Sequence, residues 1–236
     1  IRFGRASDSQ DVPDTVTADD IVFLQSLQEP ITPFDRNRAD YLCALDPVAP
    51  WSILAITFTN KAANELKERL EKMLGPQAQD VWAMTFHSAC CRILRRDIER
   101  IGYDRSFTIY DQADSERLMK ETIKSMGLDD KTFPAKYVLS VISRQKDQMI
   151  SAAQMLEDVE SKNDLRMLHV AHAYMRYQQT LKENNALDFD DIIFMTVKLL
   201  QENEDVRTYY QRKFRYVLVD EYQDTNHMQY LLPSLL

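Results

Sequence analysis

Apolar residues recur along this chain in two rhythms. Short unbroken runs at Ile53–Phe58, Val81–Phe86 and Tyr216–Val219 alternate with longer stretches in which apolar positions return every three or four residues. The runs predict strands buried on both faces, as in a parallel sheet, and the longer stretches predict amphipathic helices. After the first run, Asn60 can cap a helix whose Ala62, Leu66, Leu70 and Met73 form one apolar face, and Gly75-Pro76 ends it. After the second, a short turn and a helix from about Ala89 to Arg100 are predicted, with Gly102 as the stop. Two successive strand-loop-helix units imply a parallel sheet with helical crossovers. Phe107–Tyr110 reads as one more short strand.

From Asp114 to Asn184 the pattern is helical almost throughout, with breaks at Gly127, Pro134, Ser151 and Asn163. This predicts a compact all-α insertion. Asp188 caps a further helix through about Leu200, Val206–Lys213 adds another turn or two, and the chain returns to the sheet at Tyr216. At the other end, Asp8–Thr17 is polar and contains Pro13, so it reads as a loop. Thr17 can cap a helix through about Gln28, with Asp19 and Asp20 in its first turn, and Pro33 can open a second through about Leu45. The pattern as a whole is an α/β domain interrupted by a helical one.

Composition narrows the class. The 236 residues suffice for one large domain or two small ones, and no apolar run approaches the length of a membrane span. No secretory leader opens the sequence. Cys43, Cys90 and Cys91 are odd in number and two are adjacent, which suggests no disulfide framework and a reducing, cytoplasmic setting. A net charge of −8 is unlike a free-standing DNA-binding domain, although Arg92–Arg100 is locally basic. The chain starts at Ile1 without Met and its last residues are still apolar, so it reads as a segment of a longer protein.

The candidate chemistry sits where strands end. Asp220 and Glu221 follow the run Tyr216–Val219 directly, and open α/β sheets bind ligands beyond the carboxyl ends of their strands. One carboxylate suits Mg²⁺, a hard cation that takes oxygen ligands, and the other suits proton abstraction from an attacking water. Taken alone, Asp-Glu reads first as a solvated acidic turn at the end of a buried strand. Thr57, Phe58, Thr59, Asn60 and Lys61 stand where a strand becomes a helix, a place suited to a phosphate anion. Phe58 is open to two readings, core residue or base-stacking platform, and Thr85, Phe86 and His87 pose the same question. His87 with Cys90 and Cys91 fits no standard zinc spacing, and His169 and His172 lack the Glu of a metalloprotease motif. Arg92, Arg95 and Arg96 either follow phosphates or form a solvated face with Asp97 and Glu99.

The longer string Asp220-Glu221-Tyr222-Gln223-Asp224 resembles motif II of the superfamily 1 DNA helicases of the UvrD/PcrA/Rep group. Ala55–Ala63 resembles motif Ia of the same family, Thr85–Ser88 resembles motif Ib, and Leu187–Asp191 resembles a further recurrent segment. The resemblance runs from about Pro50 to Leu236. It implies an α/β fold: an incomplete RecA-like P-loop NTPase parallel sheet with an inserted all-α subdomain. Residues 1–108 would be the first part of domain 1A, with 1–50 a variable insertion for which a mobile surface loop is as good a reading as any function. Residues 109–187 would be helical domain 1B, and 188–236 the return of 1A.

The resemblance also implies an activity. It is that of an ATP-dependent helicase moving 3′→5′ on single-stranded DNA, with ATP and Mg²⁺ as cofactors. Single/double-strand junctions and repair or replication proteins are the implied partners. Asp220 would hold Mg²⁺, Glu221 would activate water, and Gln223 would link the γ-phosphate to the DNA site. Thr57, Phe58, Thr59, Asn60, Lys61, Thr85, Phe86 and His87 would contact DNA. One family feature is missing: Gly4, Gly75, Gly102 and Gly127 are the only glycines, none precedes Lys, and so no G-x-x-x-x-G-K-[ST] loop exists here. That loop is expected upstream and the second RecA-like domain downstream, so this chain by itself is expected to lack ATPase activity. Two other readings remain: a helicase–nuclease subunit resembling AddA or RecB, and a non-enzymatic module that binds DNA or a partner protein. The intact Asp220-Glu221 pair argues against the second.

Overall fold

A computed structural model describes residues 16–27, 31–44 and 47–236. The elements in chain order begin with helices α1 (Ala18–Ser26) and α2 (Pro33–Leu42). Thr17 caps α1 in a capping box with Asp20. The predicted loop before Thr17 and the predicted helix ends near Gln28 and Leu45 lie outside the described residues.

Strand β1 (Ile53–Thr57), helix α3 (Asn60–Leu74), strand β2 (Trp82–Thr85) and helix α4 (Phe86–Asp97) form the first two strand-helix units. Two predictions change here. Thr59, not Asn60, caps α3, and no turn separates β2 from α4, because the Thr85 hydroxyl accepts from the Ser88 N–H and starts the helix at once. The apolar face predicted for α3 is only half-buried: Ala63 is its one buried residue and Met73 is exposed. Gly75, at φ 64°, ends α3 as expected, in a conformation that few residues other than glycine adopt.

A short strand β3 (Thr108–Ile109) leads into α5 (Gln112–Ser125), α6 (Ala135–Asp147), α7 (Ala152–Lys162) and α8 (Leu165–Glu183). The breaks fall at Gly127, Pro134, Ser151 and Asn163, with Ser151 in a capping box and Asn163 in the left-handed conformation. Strand β4 (Ala186–Leu187) then pairs parallel with β3, Thr108 against Ala186 and Ile109 against Leu187. The exit and return of the chain are thereby fastened side by side. Helices α9 (Phe189–Glu202) and α10 (Glu204–Lys213), strand β5 (Tyr216–Val219) and helix α11 (His227–Leu235) follow.

The main sheet is parallel, in the order β2-β1-β5. Leu54 and Ile56 of β1 face a core built with α4, α9, α10 and α11, while α3 packs against β1 and β2. Helix α9 is buried almost all round from Asp191 to Leu200, as a helix at the centre of a core should be. A second core, from Leu118 to Leu181, is shared among α5–α8.

The expectation that Tyr216–Val219 is buried on both faces is not met. Val217 and Val219 pack on the first core, but Tyr216 and Leu218 are exposed. Among the described residues β5 pairs with β1 alone, and α3 packs chiefly on β1 and β2, so Tyr216 and Leu218 on the alternate face of β5 are left exposed. Among the described residues, no helix is long and apolar enough to cross a membrane.

Candidate functional site

Parallel strands end on the same side, so β1, β2 and β5 deliver Thr57, Thr85 and Asp220 to one edge of the sheet. Thr57 lies in register with Thr85, and Ile56 with Val219. The Asp220 N–H donates to the Ile56 carbonyl at 2.9 Å, which holds the first residue beyond β5 in line with β1. Its own carboxylate accepts from the Glu221 N–H at 3.1 Å. Glu221 is left-handed, φ 49° and ψ 43°, a conformation that costs a non-glycine residue roughly 1 kcal/mol or more. Asp220, Glu221, Gln223 and Asp224 are all exposed. Asp220 closes a cleft of about 550 Å³ between β1, β5 and the start of α3, with Glu65 and Arg69 on its far wall. Asp224 does not cap the next helix; Asn226 does, in a capping box with Gln229.

The β1 end is organised by threonines. Buried Thr57 donates to the Thr59 carbonyl at 3.2 Å, and the Thr59 hydroxyl accepts from Ala62 N–H at 3.1 Å. Asn60 and Lys61 stand exposed on the first turn of α3, where the helix dipole favours an anion. Phe58 is half-buried and meets Phe86 edge-on, with centroids 5.3 Å apart. Phe86 itself is 2% exposed and belongs to the core. It presents no ring face for a base, and neither do the buried Thr57 and Thr85 offer surface contacts; these three residues carry the exposed ones instead.

His87 is placed differently. Its ring lies face to face with Phe189, centroids 3.8 Å apart and planes at 24°. Burial lowers its pKa, against the opposing pull of Asp190 and a hydrogen bond with the Phe189 backbone, so the imidazole is neutral at pH 7. Phe189 is 58% exposed, and sequence reasoning did not single it out. The available signal was its place inside the segment Leu187–Asp191, directly after the capping Asp188 and ahead of the buried stretch that starts at Asp191.

Lys146 was missed altogether. It is fully buried and bonds Asp188 at 2.7 Å and Asp191 at 2.8 Å. Tyr177 donates to Asp188 at 3.0 Å, and the Gln178 amide donates to both Asp191 oxygens at 2.9 Å. Burial works against the Lys146 charge, but the two carboxylates outweigh it and raise its pKa well above the usual value. The arginines of α4 lie on aromatic rings of their own fold: Arg92 over Trp82, Arg95 over Phe107 and Arg96 over Tyr209.

The model of the UvrD/REP helicase N-terminal domain matches residues 36–236. The chain belongs to the UvrD/REP helicase family. ATP-dependent DNA helicase PcrA of Bacillus subtilis (strain 168) is 48% identical over 200 residues, 85% of this chain and 27% of that protein. PcrA of Staphylococcus aureus (strain Mu50) is 45% identical over 200 residues, and PcrA of Staphylococcus epidermidis 46% over 201, each again covering 85% of this chain and 27% of the relative. This UvrD/REP-family chain therefore spans about a quarter of the length of the curated relatives it matches. Family membership agrees with the mixed α/β architecture and its short parallel sheet.

Proposed function

We propose that these residues form one half of the motor of an ATP-dependent DNA helicase, with β1, β2, β5 and their helices as domain 1A and α5–α8 as domain 1B. The observation that carries the reading is the meeting, at one sheet edge, of Asp220-Glu221 with the helix starts at Thr59 and Thr85. A carboxylate pair and two oriented helix N-termini at one edge suit a site that senses nucleotide and nucleic acid together.

Asp220 fits a divalent ion: it is an exposed oxygen donor, and Mg²⁺ is commonly held by one or two carboxylates plus substrate phosphates. When bound, Mg²⁺ would neutralise charge on the transferring phosphoryl group. Glu221 takes the role of the base that orients and deprotonates water, and its left-handed backbone ends the strand direction at that residue. Gln223 takes the relay role, since an amide both donates and accepts. The phosphate-binding loop is assigned to residues outside this sequence.

Single-stranded DNA would run over Phe58, Asn60 and Lys61 to the His87–Phe189 stack, with phosphates on the α3 start and bases on the rings. Movement 3′→5′ follows from the family alone. The test is steady-state ATP hydrolysis by a full-length protein carrying this sequence, with and without oligo-dT, beside strand displacement on 3′- and 5′-tailed duplexes. DNA-stimulated hydrolysis and unwinding of the 3′-tailed substrate support the reading. Hydrolysis indifferent to DNA, with no unwinding, would overturn it.

A further inference from the structure

The end of α6 does two things with consecutive residues. Lys146 enters the buried carboxylate pair Asp188–Asp191 at the start of α9. Asp147, next in the chain and half-buried, accepts from the Asn226 side-chain amide at 2.7 Å. Asn226 is the N-cap of α11 and closes the segment that begins at Asp220. The same start of α9 carries Phe189 on His87. One helix end thus touches the start of α9, which carries the aromatic platform, and the end of the acidic loop at Asn226.

We infer that the Lys146-Asp147 step is a positioning element that couples the His87–Phe189 platform to the Asp220–Asp224 loop. This rests on the function proposed above. The buried cluster fixes where α6 ends, because the ammonium bonds two carboxylates that Tyr177 and Gln178 in turn hold in place. With α6 fixed, Asp147 sets the position of Asn226, and Asn226 sets where the loop ends and α11 begins. A displacement of Phe189 by a stacked base moves the start of α9, and α6 carries that displacement to Asn226. The contacts are short and contiguous: Lys146 and Asp147 end α6, Asp188 caps α9 and Asn226 caps α11. Neither Asp147 nor Asn226 needs to touch nucleotide or DNA.

The experiment uses the full-length protein with Asp147→Ala, Asp147→Asn and Asn226→Ser. Serine keeps the cap on α11 but cannot reach Asp147. Asparagine at 147 keeps an oxygen that accepts from Asn226. Basal ATP hydrolysis, oligo-dT affinity and the stimulation factor are measured for each. Asp147→Ala and Asn226→Ser are expected to keep basal turnover and DNA affinity within about twofold. Each should lose at least about fivefold of the stimulation, the lower end of ordinary coupling energies, and the double variant should lose no more than either alone. Asp147→Asn should retain the stimulation. Unchanged stimulation in Asp147→Ala and Asn226→Ser would overturn the inference, as would additive losses or an equal fall in basal turnover. An absence of stimulation in the unaltered protein would instead sink the underlying function, and is read separately.

Discussion

Phe189 lies face to face on His87, 3.8 Å between centroids, yet the two residues are a hundred positions apart in the chain and start different helices. The stack leaves Phe189 58% exposed with a neutral imidazole behind it. A base placed on Phe189 meets a ring already held flat. Phe189→Ala in the full-length protein should weaken oligo-dT binding by about 1–3 kcal/mol, the usual worth of one base–aromatic stack. His87→Ala should weaken it less, because it removes the support and not the platform. Fluorescence anisotropy titrations of both variants decide this, and equal losses would mean that His87 contacts DNA directly.

Phe58 and Phe86 touch each other but should behave in opposite ways. Phe86 is core, so Phe86→Ala should destabilise the fold by about 3–5 kcal/mol in urea unfolding. Phe58→Ala, at a half-buried site, should cost much less stability and lower oligo-dT affinity instead. A Phe58 variant that loses stability but binds DNA normally would return Phe58 to the core.

For hydrolysis, Glu221→Gln should leave ATP binding intact in the full-length protein and cut turnover by about 10²–10⁴-fold, the range for loss of a general base. Asp220→Asn should also weaken the Mg²⁺ dependence. Paired turnover assays and nucleotide titrations separate the two, and near-normal turnover in Glu221→Gln would reassign the base.

Lys146→Ala leaves two buried carboxylates facing each other without their cation. Removing one partner of a buried ion pair typically costs about 3–5 kcal/mol. The chain should show that loss in urea unfolding at pH 7, and the loss should shrink in the background of Asp191→Asn, where only one charge is stranded. A loss below about 1 kcal/mol would mean that water reaches the cluster.

The cluster also sets a pH dependence. Burial and the neighbouring Asp188 push Asp191 up to about 6 from 3.8, against the pull of Lys146. Between about pH 4 and pH 6 the folded chain therefore holds a proton that the unfolded chain has released, and this contribution to stability falls as pH rises through that window. Asp188 behaves oppositely. Burial works to raise it, but the Lys146 charge and its hydrogen bonds hold it below its usual value, so its contribution is present above about pH 4 and is lost in stronger acid. Unfolding free energies of the unaltered chain and Asp191→Asn, measured from pH 4 to 7, should differ by an amount that grows in favour of the variant up to about pH 6. A constant difference would contradict the assignment.

Much of this molecule was legible as local pattern. Capping residues such as Thr17, Ser151 and Asp188 satisfy their own helix starts within a few positions, and Gly75, Gly102 and Asn163 adopt left-handed backbone where helices stop. Those interactions are short-range, so sequence alone placed the helices of the middle segment and the return to the sheet. Family membership was likewise carried by contiguous strings. Long-range choices were another matter. Which face of β5 is covered depends on which distant helices pack against it, and an unbroken apolar run carries no record of that. Whether Phe86 or Phe58 is buried depends on what lies beneath each ring. Nothing local marks Lys146 among the lysines of the helical segment; its partners Asp188 and Asp191 stand about forty residues further on. Sequence determined the elements and the family because their physics is local. The folded chain alone decided the cluster, the aromatic stack and the Asp147–Asn226 bond, because each needs two distant segments within hydrogen-bonding or van der Waals reach.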